Sequence, residues 1–548
     1  MHDARAAAAI GIWQSRFSGV CDEMGAALRR AAYSPNVKER EDYSCALFAA
    51  DGELIGQAEH IPVHLGSMAA SVRSAIEAFG DLAEGDQVLV NDPFCGGTHL
   101  NDITFVAAVR GQDGALLGYV ANRAHHADVG GSVPGSLSAT AVDSVAEGLC
   151  LPPIRAVRGG AWDGDIRALL LANTRTPEER AGDLDAQWGA NRLGARRLGE
   201  LAAKHGRESL AWAMRLVCDY AEQAMRVELH AASKGLAAEL SCEDFLEAAD
   251  GSLVPIRVVV RIDEGGMEAD FRGTGRARPG VPSGVRAVTQ ACLEFAARSI
   301  TSGDIPRNGG AARVLRLRTE PGSVVDARAP VPVGAGNVEA SQRIADVLLA
   351  ALAPAFPTRI GAASQGTMNN LLIGSVPGPG QPFVYYETIG GGQGGRPGQA
   401  GQSGIHTGMT NTANTPIEAL EHAYPLRVEA YRLRSGSGGA GEHPGGEGIE
   451  RIVRLLEDSQ VTLLAGRRAM GPRGLAGGAA GAPGEDRIRT PEGVERVWQP
   501  LSTQQLPAGT QLVLRTPGGG GYGGLESAAP ATVGASSKNA VKAVGDPE

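Results

Sequence analysis

The chain of 548 residues contains no run of eighteen or more apolar residues, so no segment is expected to cross a membrane as a helix. Its start, MHDARAAAAIGIWQSRF, lacks a charged stretch followed by a long apolar core, so no secretory signal is expected. The seven cysteines (Cys21, Cys45, Cys95, Cys150, Cys218, Cys242, Cys292) are scattered, odd in number and without a CxxC pair. That pattern speaks against a disulfide framework or a structural zinc knuckle and for a reducing cytoplasm. Basic residues are not in excess: 51 Lys+Arg against 61 Asp+Glu give a net charge of −10. A nucleic-acid partner or an anionic membrane surface is therefore not expected. No G-K-[ST] follows any glycine block, so no Walker A loop is present and ATP has no motif to bind here.

What is abundant is glycine, 77 of 548 residues, about twice the usual share. The blocks GGGQGGRPG, SGSGGAGEHPGG, GLAGGAAGAPG and PGGGGYGG have no collagen-like period and alternate with short strands, so tight strand turns are their expected use. The length exceeds what one core holds. The patterning predicts an α+β chain of several domains with mainly antiparallel sheets. Residues 1–250 form an α+β part with a helical segment at 163–236. Residues 251–525 form a glycine-rich, strand-dominated part, and 526–548 a disordered tail poor in large apolar residues.

Chemistry concentrates in residues 91–131, NDPFCGGTHLNDITFVAAVRGQDGALLGYVANRAHHADVGG. Two apolar runs, 103–109 and 115–121, flank an Asp113-Gly114 pair and read as a β-hairpin. With the turn centred between Gln112 and Asp113, paired positions sum to about 225, within a residue or two. Asp102 then faces Arg123, and His99 faces His126. The T-H-L-N-D and A-H-H-A-D ends meet, and two imidazoles with a carboxylate are a donor set for a divalent metal.

Other stretches are weaker. Residues 12–33 repeat apolar positions at helical spacing and read as a packing helix. Asp42 follows Glu39, Arg40 and Glu41 and by itself reads as a solvated strand edge. His60 and His64 flank a proline and read as pocket lining. Ser67 is placed to cap a helix ending near Phe79, and Thr176 to cap one beginning TPEER. Glu147 lies in a Gly/Ser/Pro-rich loop of the kind that covers a site. The amide-rich GAASQGTMNNLLIG (361–374) reads as loop-tying.

Taken together, KEREDYSCALFAADGELIGQAEHIPVHLGSM, NDPFCGGTHLNDITFVAAV, ANRAHHADVGG, GNVEASQRIADVLLAALA, ASQGTMNN, MTNTANTPIE and TPGGGGYG resemble the hydantoinase B/oxoprolinase family, in its order, over residues 10–524. That group includes B subunits of ATP-dependent hydantoinases and lactamases, a part of 5-oxoprolinase, and large subunits of acetone-type carboxylases. The resemblance implies one divalent ion, zinc or manganese, held by Asp42, His99, Asp102 and one of the pair His125/His126, with His125 preferred. His126 and Asp128 are then the groups that move a proton. It also implies an A-type partner subunit that uses ATP, in a hetero-oligomer such as A2B2. The partner phosphorylates a cyclic amide, and water made more acidic by the ion attacks the activated carbon in this chain. An ATP-dependent carboxylase subunit and a non-catalytic scaffold are the alternatives. Departures from the family pattern at GRPGQAGQSG (395–404) and near Ser283 bear on substrate and partner, not on the implied ligands.

Overall fold

The structure, a computed structural model, describes residues 2–59, 61–64, 66–80, 82–236, 238–378 and 381–525. The expected tail at 526–548 and His60 lie outside the described residues. The architecture is mixed α and β, with four sheets.

The first sheet carries the hairpin. Its strands are β1 (Tyr43–Ala49), β2 (Leu54–Glu59), β3 (Gln87–Val90), β4 (Asp102–Arg110), β5 (Leu116–His125), β6 (Ile154–Arg158) and β7 (Ala161–Trp162). Their order is β2-β1-β5-β4-β3-β6-β7, and every neighbouring pair is antiparallel. Side chains alternate between two covered faces, as strand geometry requires. Cys45, Leu47, Val120 and Ala124 pack with the helices His2–Ala31, Pro177–His205 and Arg207–Ser233. Ala46, Phe48, Val106 and Ala121 pack under the helix Ser67–Phe79.

The long N-terminal helix buries Trp13, Phe17, Val20, Met24 and Leu28, a stripe at helical spacing. It crosses the helix Pro177–His205 closely at Gly194, where a Cβ would sit 2.3 Å from the Met24 sulfur. Two expected caps differ from the structure. Gly66 is the N-cap of the helix Ser67–Phe79, because the Ser67 hydroxyl instead donates to the carbonyls of Val63 and His64. Thr176 is at the N-cap position but its side chain makes no capping bond.

The second sheet joins β8 (Leu240–Glu247), β9 (Leu253–Asp263), β10 (Gly266–Asp270) and β11 (Leu315–Arg318) in the order β11-β10-β9-β8, with only β10 and β11 parallel. Residue 250 therefore falls in the turn of the β8–β9 hairpin, and β8 shares a core with strands that follow it. A division of the chain at 250 would cut that hairpin. The helices Arg286–Ile300 and Ser341–Leu352 pack into this same core. The third and fourth sheets use β12 (Asn370–Ser375), β13 (Val384–Glu387), β14 (Leu426–Arg434), β15 (Gly448–Leu455), β16 (Ser459–Leu464), β17 (Glu485–Arg489), β18 (Glu495–Val497), β19 (Leu501–Leu506) and β20 (Gln511–Arg515).

The glycine blocks do more than turn strands. Gly518, Gly519, Gly520 and Gly521 are buried and run through a bundle of other glycine-rich segments. Gly439 N donates to Gly519 O, Gly519 N to Gly446 O, Gly520 N to Ala363 O, Gly521 N to Ala479 O, and Gly395 N to Gly520 O. A Cβ on Gly519 would lie 2.0 Å from the carbonyl oxygen of Gln393. Backbone thus packs directly on backbone, which only glycine permits.

Candidate metal centre

The register of the first sheet assembles the centre. Asp102 on β4 pairs with His125 on β5, and Tyr43 on β1 pairs with Ala124. One step further, His125 N donates to Asp42 O at 3.0 Å. Asp42, His125 and Asp102 thus form a row across the ends of three neighbouring strands, on the face covered by the helix Ser67–Phe79. The observed hairpin pairs sum to 227 over most of β4 and β5, as in Thr104 with Arg123. The expected sum of 225 is off by two because the loop is longer than a two-residue turn and the register shifts between Val109 and Arg110. A shift by an even number leaves every side chain on its expected face.

His99 enters from the loop before β4. Its Nε2 lies 3.2 Å from His125 Nδ1, and His125 Nδ1 lies 3.5 Å from Asp102 Oδ1. Ligand atoms of His99, Asp102 and His125 all fall within 4.8 Å of one another. All three residues are buried. Asp102 Oδ2 is held on several sides: Thr98 Oγ1 donates to it at 2.5 Å, with His99 Nδ1 at 3.2 Å, His64 Nε2 at 3.4 Å and Asn337 Nδ2 at 3.4 Å. Asp102 Oδ1 has no hydrogen-bond partner among the described residues.

This arrangement fits a divalent cation. For tetrahedral ligation at about 2.0–2.1 Å, neighbouring donor atoms lie about 3.3–3.4 Å apart. The two measured donor separations bracket that edge. A buried carboxylate oxygen without a partner is costly, and a cation removes that cost. Binding His99 through Nδ1 to a carboxylate leaves Nε2 as the free donor, the usual way a ligating imidazole is oriented. Burial alone would raise the Asp102 carboxyl, but His99, His64 and His125 together hold it well below the usual carboxylate range. Burial lowers the pKa of His125, opposed by Asp102 and Asp42, so it favours the neutral, ligating form.

The structure brings His99, Asp102 and His125 together and separates the others. Asp42 stands in the row and its charge acts on His125, but its carboxylate is outside the three-residue cluster. His126 does not fit the expected proton-moving role. Strand alternation turns it to the opposite face, where its Nε2 meets Gln187 Oε1 at 2.8 Å under the helix Pro177–His205. Burial, with Arg180 nearby, pushes His126 down to about 4. Asp128 does not fit that role either. It accepts from the backbone of Gly130, Gly135 and Arg175 and from the Arg175 guanidinium at 2.8 Å, so it organises a loop. The Glu147 carboxylate is outside the three-residue cluster as well and accepts from Val333 N at 2.9 Å and Gly334 N at 2.8 Å.

Three further residues complete the centre; His64 reads from the sequence as pocket lining, and the other two carry no local signal. His64 bridges Ser44 Oγ (2.9 Å from Nδ1) to Asp102. Asn337 reaches Asp102 from a π-helical turn, Gly336–Ala340. Tyr386 stacks on His125 with ring centroids 4.7 Å apart and is itself covered by the Arg40 guanidinium. The last two lie more than two hundred residues beyond the hairpin, and only the tertiary fold delivers them.

Comparison with known proteins adds a second line of observation. The model of the hydantoinase B/oxoprolinase family matches residues 7–525. An uncharacterized protein of Methanocaldococcus jannaschii is 41% identical over 520 residues, covering 94% of this chain and 90% of the relative. 5-Oxoprolinase 1 of Arabidopsis thaliana is 35% identical over 538 residues, covering 94% of this chain but 41% of the plant protein. The chain thus spans about two-fifths of that relative's length. Among solved structures, the ATP-dependent caprolactamase from Pseudomonas jessenii is similar with a TM-score of 0.87 at 26% identity, over 94% of this chain and 90% of that one.

Proposed function

Because the chain belongs to the hydantoinase B/oxoprolinase family, we propose that it is the ring-opening subunit of an ATP-dependent cyclic-amide hydrolase. The observation that carries this reading is the convergence of His99 Nε2, His125 Nδ1 and the unpartnered Asp102 Oδ1 at the end of one sheet. His99, Asp102 and His125 hold one divalent ion, zinc or manganese, and Asp42 completes the row from β1. The ion supplies a Lewis acid and lowers the pKa of water towards neutrality.

The residues of the chain perform the rest. Thr98, His64 and Asn337 fix the Asp102 carboxylate so that one oxygen faces the ion. Tyr386 fixes the plane of the His125 ring. Burial of the whole cluster keeps bulk water away and strengthens each charge interaction. A lactam carbonyl is a poor electrophile, so a partner A-type subunit phosphorylates the ring oxygen with ATP. Water then adds to the activated carbon, the carbon–nitrogen bond breaks with the nitrogen taking a proton and leaving as an amine, and a second water hydrolyses the resulting acyl phosphate to a carboxylate and inorganic phosphate. The assembly is a hetero-oligomer, such as A2B2, working in the cytoplasm.

The test is co-expression with an A-type subunit. The complex is assayed for ATP-dependent hydrolysis of hydantoins, 5-oxoproline and simple lactams, with metal analysis alongside. Ring opening with bound metal supports the reading. Absence of both overturns it. Bicarbonate-dependent consumption of a ketone with ATP would instead establish a carboxylase subunit. Activity surviving His99→Ala with unchanged metal content would make the chain a scaffold.

A further inference from the structure

Two side chains of one turn lead to two ligands of the centre by separate routes. The π-helical turn Gly336–Ala340 holds Asn337, which reaches the Asp102 carboxylate directly, and Glu339, whose carboxylate begins a longer route. Gly336 opens the turn against the Ser283 backbone, where a Cβ would sit 2.0 Å from the Ser283 carbonyl oxygen. Single π turns joined to α-helices recur at functional positions.

The longer route is a row of buried hydrogen bonds. Glu339 Oε1 accepts from Thr367 Oγ1 at 2.9 Å, from Met368 N at 3.1 Å and from Asn370 Nδ2 at 2.9 Å. Asn370 Nδ2 also donates to Leu464 O at 2.9 Å, across the β12–β16 pair. With both hydrogens of Nδ2 committed, Oδ1 is the atom left for Tyr386, whose hydroxyl donates to it at 3.0 Å. Glu339, Thr367, Asn370 and Tyr386 are all buried. A carboxyl oxygen as the last acceptor sets the direction of the whole row, because a flipped Asn370 would turn its own oxygen on Oε1. Burial pushes the Glu339 carboxyl up to about 7, against the pull of Thr367, the Met368 amide, Arg468 and Arg343. Oε1 accepts in both charge states, so the row persists on either side of that pH.

The far end of the row touches the centre. The Tyr386 ring lies between His125, with centroids 4.7 Å and planes 20° apart, and the Arg40 guanidinium, 4.8 Å from the Tyr386 centroid. Stacking on two faces sets the plane of a ring but leaves it free to slide within that plane. The hydroxyl bond to Asn370 removes that freedom and decides where the ring sits over His125.

We infer that Glu339 is a positioning residue of the metal centre: through Asn370 and the Tyr386 hydroxyl it fixes the ring on which His125 rests, while Asn337 from the same turn fixes Asp102. The inference rests on the proposed function for the ion itself and adds the element that holds two of its ligands. The amide-rich stretch 361–374 then does more than tie loops, because Thr367, Met368 and Asn370 carry the row.

The test uses the full chain loaded with Co2+, whose visible spectrum reports ligand geometry and whose affinity is read by chelator competition. Tyr386→Phe removes the hydroxyl and keeps both stacks. It should weaken Co2+ binding about tenfold and alter the spectrum, the size of effect seen when a group that orients a metal ligand is lost. Glu339→Ala should do the same, whereas Glu339→Gln keeps an oxygen for the three donors and should bind within about twofold of the wild type. Both losses cut one row, so the double variant should bind no more weakly than Glu339→Ala alone. Unchanged affinity and spectrum in Tyr386→Phe overturn the inference, as do losses that multiply in the double variant and a Glu339→Gln chain as weak as Glu339→Ala. Should Glu339→Ala not fold, Tyr386→Phe, which lacks only a hydroxyl, decides the matter. The outcome is separable from the proposed function. A wild-type chain that takes up no Co2+ removes the centre and its brace together, and wild-type uptake with unchanged variants removes the brace alone. Losses as expected, with no ring opening by the co-expressed complex, leave the brace standing and remove the hydrolase.

Discussion

Glu147 fastens the loop that follows the hairpin to Val333 and Gly334, just ahead of the π turn that carries Asn337 to Asp102. Burial pushes its carboxyl up to about 7 from an ordinary 4.5, although the two backbone amides pull the other way. The folded chain therefore favours the protonated form. The stabilisation this provides is complete below pH 4.5 and is lost as the pH rises through 7. A difference between 4.5 and about 7, at about 1.4 kcal/mol per pH unit, is worth about 3 kcal/mol. Glu147→Gln never ionises, but its amide nitrogen replaces one of the two acceptor oxygens and forfeits one backbone bond at every pH, a constant cost of about 1–3 kcal/mol. Urea unfolding of both proteins should therefore show a stability difference that shifts with pH. Between pH 5 and pH 8.5 it should move by about 3 kcal/mol in favour of the variant. Parallel pH profiles for the two proteins would refute the reasoning, since they would mean that Glu147 ionises without cost in the fold.

The remaining predictions concern the centre and its frame. His99→Ala or Asp102→Asn should abolish bound divalent metal and ring opening together, as read by elemental analysis and the coupled assay. His64→Ala should weaken metal binding about 10- to 100-fold in a chelator competition, because it removes one of the groups that hold Asp102 Oδ2. His126→Ala should leave metal stoichiometry unchanged while lowering stability by about 1–3 kcal/mol, because Gln187 Oε1 loses its buried partner. Metal loss in that last variant would return His126 to the centre.

The part of the centre that is local in sequence was readable. Asp113-Gly114 marks the turn, and two polar-ended apolar runs mark its strands, so the meeting of His99 and Asp102 with the histidine pair follows from pairing alone. The choice of His125 over His126 needed the register, and the register needed the bulge near Arg110, which no residue type announces. Asp42 looked like an exposed edge because its neighbours are charged, and only the pairing of β1 with β5 makes it adjacent to His125. Asp128 illustrates the opposite error. Its place in H-H-A-D suggested chemistry, whereas Arg175, forty-seven residues later, turns it into a loop anchor. The hairpin strands β4 and β5 and the helices that flank the first sheet were legible as alternation and periodicity, whereas β6 and β7 follow a loop-like run that announces no strand. The division at 250 was not, because β8 looks like the end of a helical region until its partner β9 is known.

The glycine bundle around Gly518–521 has a consequence for how the chain reaches this state. Its strands carry almost no side chains, so partial assembly buries little apolar surface and offsets little of glycine's large loss of backbone freedom. Its bonds join segments around residues 363, 395, 439, 446 and 479 to one near the end of the described chain, and none of the central ones can form until that last segment arrives. Closing such long loops with no early reward makes this a late step, taken as a unit after the hydrophobic cores have formed. In a cell that step would await synthesis of residues 518–521, whereas the strands of the metal-bearing sheet are all made by Trp162, so that sheet would form before the bundle.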